Sequence, residues 1–243
     1  AAAAQEAGFH PCLRCRPELS PGNAPVDSAH RIADLLMQRI DEGLGNEAES
    51  LEQLAAQFGI SSRQLRRIVQ QELGVSPVEI RQTRRLLLAK QLLTETHLPV
   101  TEIAFASGFS SLRRFNDAFN SQYRLSPSRL RKEASTGSTP LLATETSTLQ
   151  LSYRPPYDWQ AMLDFLRLRA IKDVEFVSDN SYARTVRLGT FTGWIQVSHH
   201  PQRNALLVEF THTLTPVLPA LLQRLRNLFD LSARPDLIAD HLQ

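Results

Sequence analysis

LAAQFGISSRQLRRIVQQELGVSP (residues 54–77) and IAFASGFSSLRRFNDAFNSQYRLSP (residues 103–127) are one helix-turn-helix pattern written twice. Leu54-Ala55 answers Ile103-Ala104, Gly59 answers Gly108, Ser61-Ser62 answers Ser110-Ser111, and Ser76-Pro77 answers Ser126-Pro127. The offset is 49 residues before the second helix of each unit and 50 after it, so the second copy carries one extra residue. A repeat of this length means one supersecondary unit used twice. Two such units in tandem suit a chain that touches two successive stretches of a DNA groove.

Each copy has Ala four residues before Gly (Ala55 and Gly59, Ala104 and Gly108). The small Ala lets the paired helices approach, and the Gly permits the positive φ of a tight turn. Ser61 or Ser62, and Ser110 or Ser111, are candidate N-caps of the helix that follows. The free N–H groups and dipole at such an end also suit a phosphate. Leu65, Ile68, Val69 and Leu73 are expected to face inward, which leaves Arg63, Gln64, Arg66 and Arg67 outward. In the second copy Phe115, Ala118 and Phe119 face inward, leaving Arg113, Arg114 and Asn116. Arg pairs bidentately with guanine and Asn or Gln with adenine, so these are the candidate base readers. The blander alternative is that some of them contact phosphate only, or nothing.

Composition agrees with a globular chain: 42% hydrophobic and 21% charged over 243 residues, enough for two domains. The net charge of +2 is uninformative, but its distribution is not. Residues 61–132 hold thirteen Lys+Arg against five Asp+Glu, whereas residues 26–54 hold two Arg against seven acidic residues. Positive charge thus gathers on the recognition halves, as on a phosphate-binding face, although Arg-rich solvated helices are common. No apolar run approaches the roughly 18 residues of a membrane span, and no secretory signal pattern opens the chain. A cytoplasmic location is expected.

Along the chain, residues 1–25 are Pro-rich and aperiodic. Helical periodicity begins at Asp27, with Ile32, Leu35, Leu36 and Ile40 as one stripe and Leu86, Leu87, Ala89, Leu92 and Leu93 as another on the helix joining the repeats. ASTGSTPLLATETST (134–148) reads as a linker. Beyond it come a strand, LQLSY, closed by Pro155-Pro156, and a helix capped by Asp158. Strands follow at 174–177, 182–188, 192–197 and 205–210, then a helix at 219–229. The order β-α-β-β-β-β-α predicts an α+β domain with an antiparallel sheet. Cys12 and Cys15 form a lone C-x2-C that fits half a zinc site, a redox pair or chance; a structural zinc needs four ligands, and His10 and His30 are conceivable but more commonly surface residues.

Residues 27–133 resemble the DNA-binding domain of AraC/XylS-type transcription regulators, through both A-x3-G turns, the long linking helix and the closing GFSSLRRFNDAFNSQYRLSPSRLR. The resemblance implies two recognition helices in adjacent major-groove segments and a monomer able to read an asymmetric site. AGFHPCLRCRPE (7–18) resembles the end of the Ada methylphosphotriester-repair domain, which implies that Cys12 and Cys15 are the last two of four zinc ligands and that neither accepts the methyl group. LSYRPPYDWQAMLDFLRLRAIKDVEFVSDNSYARTV (151–186) and LFDLSARPDLI (228–238) resemble the N-terminal domain of AlkA-type 3-methyladenine DNA glycosylases. In those enzymes the catalytic Asp belongs to a helix-hairpin-helix domain that no part of this sequence matches, so Asp158, Asp164 and Asp173 read as a cap, a helix face and a turn. Tyr157, Trp159, Phe165 and Trp194 read as core in preference to base-stacking residues, and Arg154, Arg184 and Arg187 as solvated strand faces, with contact to DNA as the alternative.

The expectation is a multidomain chain: an Ada-type zinc-domain remnant at 1–25, an all-α AraC-type double helix-turn-helix at 26–133, a linker at 134–148, and an AlkA N-terminal-like α+β antiparallel-sheet domain at 149–243. The expected function is a sequence-specific, DNA-binding transcription regulator of the alkylation-damage response. Expected partners are double-stranded promoter DNA, alkylated DNA for a longer parent, and RNA polymerase, with no membrane and a monomeric state. The competing readings are a repair enzyme, and a regulator whose C-terminal domain senses a small effector.

Overall fold

The computed structural model describes residues 25–41, 50–134 and 145–242. Cys12, Cys15 and His10 lie outside the described residues.

Among the described residues the first half holds the helices α1 (Pro25–Asp41), α2 (Leu51–Gln57), α3 (Ser62–Leu73), α4 (Pro77–Glu95), α5 (Val100–Ala106), α6 (Leu112–Tyr123) and α7 (Pro127–Ala134). Their starts are written in the sequence. Ser50, Ser61 and Ser76 each accept the N–H of the residue three ahead, and the side chain of that residue, Gln53, Gln64 or Glu79, accepts the Ser N–H in return. Pro77 follows its cap at the first helical position, where its missing N–H costs nothing. The turns use left-handed backbone at Gly59 (φ 67°) and Gly108 (φ 85°), as their sequence positions predict.

The second half holds a five-stranded antiparallel sheet in the order β1-β5-β4-β3-β2. Its strands are β1 (Thr146–Ser152), β2 (Glu175–Val177), β3 (Ser181–Leu188), β4 (Phe191–His200) and β5 (Ala205–Thr211). Helices α8 (Trp159–Arg167), α9 (Leu218–Leu228) and α10 (Pro235–Leu242) complete it. Alternation places Leu149, Leu151, Ile195, Val197, Leu206, Val208 and Phe210 in the core. The fold is therefore a helical region with two helix-turn-helix units followed by an antiparallel five-stranded sheet domain. Two details differ from the sequence reading. The strand β1 begins inside the expected linker, at Thr146, because its pairing with β5 extends to Thr211. A further helix, α10, opens with Asp236 in its first turn, where it pairs with Arg234 at 2.6 Å.

Two cores result, and they do not divide at the linker. One joins α1, α2, α3 and the start of α4 through Leu36, Ile40, Leu51, Leu54, Ala55, Leu65, Val69 and Ile80. The other runs without a break from the second helix-turn-helix unit (Leu92, Ile103, Phe115, Phe119) into the sheet domain (Leu149, Leu163, Val208, Phe229). The apolar stripes are narrower than expected. Leu35 (40% exposed) and Leu87 (49%) point outward, and Ala33 takes a buried place beside Leu36.

Candidate nucleic-acid interface

The two recognition helices, α3 and α6, are twelve residues each. Their caps settle the register between the copies. Ser61 Oγ accepts the Gln64 N–H at 3.2 Å, and Ser111 Oγ accepts the Arg114 N–H at 3.3 Å. Ser61 therefore corresponds to Ser111, not Ser110, and the extra residue of the second copy lies in its turn. On this register Arg63 matches Arg113, Gln64 matches Arg114, Arg66 matches Asn116, and Arg67 matches Asp117.

Burial on the inner faces follows from the same register. Leu65 and Val69 are buried in the first unit, Phe115 and Phe119 in the second. Ile68 and Ala118 are half-buried, and Leu73, expected inside, is 38% exposed. Phe109, Phe115, Phe119 and Tyr123 form a ladder of rings with centroids 5.3, 5.6 and 4.7 Å apart. The opposite faces present the expected side chains: Arg63, Gln64, Arg66 and Arg67 on α3 and Arg113 and Arg114 on α6 are exposed, with Asn116 half-buried.

The hydroxyls divide into two kinds. Those of Ser61 and Ser111 hold the helix starts, so they fix the first turns from which the exposed side chains project. Ser62 is half-buried beside Glu52, and Ser110 is exposed at the mouth of the second turn. Gln64 also takes part in the cap, its Oε1 accepting the Ser61 N–H at 3.4 Å. Hydrogen bonds from its own amide and from the Ser50 and Ser62 hydroxyls, with Arg66 nearby, hold the Glu52 carboxyl below the usual range. Glu52 thus stays ionised beside Arg66. Asp117 is a further departure, since it puts an exposed carboxylate where the first helix has Arg67. The signal was present in the sequence, but only the cap register reveals that the two positions correspond.

Elsewhere the candidate residues sort by structure. Asp158 caps α8 by accepting the Ala161 N–H at 2.9 Å, Asp164 pairs with Arg167 along the same helix, and Asp173 turns the chain at φ 65°. Trp159 is core at 5% exposure and Tyr157 is half-buried, but Phe165 (51%) and Trp194 (40%) are exposed, against expectation. Phe165 carries the Arg169 guanidinium 3.9 Å over its ring, and Trp194 alternates along β4 with the buried Ile195, so it takes the strand's exposed face. Arg184 is no solvated strand residue either: it pairs with Glu175 at 3.2 Å. Among the described residues, no group of three or more His, Cys, Asp or Glu can hold a metal, and His30 instead meets Asp34 at 3.5 Å and Glu72 at 3.4 Å. No helix among them is long and apolar enough to cross a membrane.

Comparison with known proteins agrees with this anatomy. Residues 54–133 match the model of a helix-turn-helix domain, and residues 148–243 that of the AlkA N-terminal domain. The chain is 34% identical over 246 residues to a probable bifunctional transcriptional activator/DNA repair enzyme AlkA of Mycobacterium tuberculosis, covering 100% of this chain and 48% of that protein. It is 36% identical over 88 residues to DNA-3-methyladenine glycosylase 2 of Escherichia coli (36% of this chain, 31% of that one). It is 32% identical over 106 residues to the HTH-type transcriptional activator RhaS of Escherichia coli (44% and 37%). The chain spans about half the length of the mycobacterial relative. The chain thus carries a helix-turn-helix domain followed by an AlkA N-terminal domain, and is similar along its whole length to part of a probable bifunctional activator and repair protein.

Proposed function

We propose that the chain reads a specific sequence in double-stranded DNA through α3 and α6, as the DNA-binding part of a regulator of the alkylation-damage response. The observation that carries this reading is the pair of capped helices, each turning three or more polar, mostly Arg side chains outward from its first two turns. Helix N-termini bring such side chains to base edges in the major groove, while the amides beneath them favour phosphate. Arg63 and Arg113 hold equivalent places, so they make equivalent contacts in successive groove segments. Arg66 and Asn116, and Arg67 and Asp117, are not equivalent, and the site read is therefore asymmetric.

One chain carries both readers, so a monomer suffices, and RNA polymerase is the partner an activator of this kind would contact. Base excision and methyl transfer belong, on this reading, to a longer parent protein. Cys12 and Cys15 are proposed there as two of four zinc ligands. Selection from a random duplex library tests the reading. The expected outcome is one asymmetric consensus, bound with an affinity that falls steeply with salt. Recovery of no consensus from repeated rounds would refute it.

A further inference from the structure

The second recognition helix, α6, carries one acidic residue, Asp117. It is also the only Asp or Glu between residues 103 and 132, a stretch that holds six Lys and Arg. Two residues are about 200° of helical turn, so Asp117 stands diametrically opposite Phe115 and Phe119, both fully buried. It is exposed, with Arg113 and Arg114 in the turn before it and Asn120 and Ser121 in the turn after. Arg113 lies at the spacing that favours an ion pair, yet none joins the two. Among the described residues, neither side chain has a hydrogen bond or an ion pair. A carboxylate at the centre of a face that meets a polyanion is repelled unless it finds a donor there. On α3 the same place belongs to Arg67, where no such conflict arises.

We propose that Asp117 reads a cytosine in the groove segment met by α6, accepting a hydrogen bond from its N4 amino group. The inference rests on α6 being a base-reading helix. In the major groove cytosine offers the N4 donor and no acceptor of its own. Guanine and thymine offer acceptors, which repel a carboxylate, and adenine sets its N7 acceptor beside its N6 donor. Asp117 therefore discriminates twice, by the bond gained at cytosine and by the repulsion met at the other bases. The charge that weakens contact with DNA in general sharpens the choice among sequences. Arg67, in the corresponding place on α3, pairs best with guanine. The two groove segments thus differ at this position, cytosine against guanine, while Arg63 and Arg113 ask for the same base.

The test is selection from a random duplex library with the native chain, Asp117→Asn, Asp117→Arg and Arg113→Ala. Competition binding follows, on the native consensus changed one base pair at a time. Each substitution lies at an exposed position, and Tm is the folding control. The expected native consensus holds a cytosine in the α6 segment, and replacing it weakens native binding about tenfold or more. Asp117→Asn should move the preference at that pair alone to adenine, and Asp117→Arg should move it to guanine. A consensus unchanged by Asp117→Asn, with tighter binding to all sequences alike, would mean that the carboxylate only repels phosphate, and overturns the proposal. A change confined to the pair that Arg113→Ala relaxes also overturns it, since Asp117 would then act by positioning Arg113. Both of these outcomes leave a native consensus standing. Failure of the native chain to select any consensus would instead refute the reading of α6 itself, and the proposal with it.

Discussion

At the scale of single residues, the second repeat pays for its sequence at Arg124. Both recognition helices end in left-handed backbone, at Gly74 (φ 74°) and Arg124 (φ 57°), and each of these residues returns its N–H to the carbonyl four back. An L side chain there costs about 1 kcal/mol, which Gly avoids. Arg124→Gly should therefore stabilise the chain by roughly 0.5–1 kcal/mol, and Gly74→Ala should destabilise it by a similar amount, in denaturant titrations at constant slope. Tyr182 carries a second residue-scale prediction. Its ring is fully buried, its hydroxyl donates to Glu175 at 2.6 Å, and burial first, then that bond, push its pKa up to about 12. A raised pKa means stability present below the ordinary Tyr value near 10 and lost as pH rises through 12. Tyr182→Phe should flatten that alkaline decline in Tm while lowering stability near neutrality; an unchanged alkaline slope would assign the decline to other groups.

At the scale of elements, the joint between the halves is a helix gripping a sheet edge. An edge strand exposes unpaired N–H and C=O groups that invite pairing with another chain. On β1 one such outward pair belongs to Gln150. Its N–H donates to Glu95 Oε2 at 2.7 Å, and its carbonyl accepts from Gln91 Nε2 at 2.7 Å. Gln91 and Glu95 also bond one another at 3.1 Å, so α4 presents them as a unit. Glu95→Ala leaves the Gln150 amide without its acceptor and should cost about 1–3 kcal/mol. Faster hydrogen exchange at the Gln150 amide is the check, and unaltered protection there would mean that the grip is incidental. None of this was legible in the sequence, since partners 55 and 59 residues apart leave no local pattern. The elements themselves were legible, because caps, glycines and apolar periods act within a few residues. Leu35, Leu87, Phe165 and Trp194 were misplaced for a related reason. Hydrophobicity marks which residues can be buried, but which face is covered depends on neighbours brought in from elsewhere along the chain.

At the scale of the whole molecule, the division of the core matters more than the division of the sequence. The second helix-turn-helix unit shares its core with the sheet domain, while the first has a separate one. Leu149→Ala, at a fully buried site in β1, should cost about 2–5 kcal/mol. Its effect should spread to the amides of α5 and α6, leaving α2 and α3 least disturbed in native-state hydrogen exchange. Uniform loss of protection over both units would show a single cooperative core instead. The outward side chains of α3 and α6 were legible as types and approximate places, through the repeat. Their correspondence was not, because the inserted residue sits in the second turn and only the caps locate it. That correspondence leads to the central claim, that α3 and α6 each read one segment of groove. Footprinting of the chain on its selected DNA, with Arg63→Ala and Arg113→Ala beside the native protein, tests it most directly. The account predicts two protected major-groove segments about one helical turn apart, one weakened by each variant, with a loss of about 1–3 kcal/mol on the selected site and little on random DNA. A single protected segment, or equal weakening of both segments and of random DNA by either variant, would contradict it.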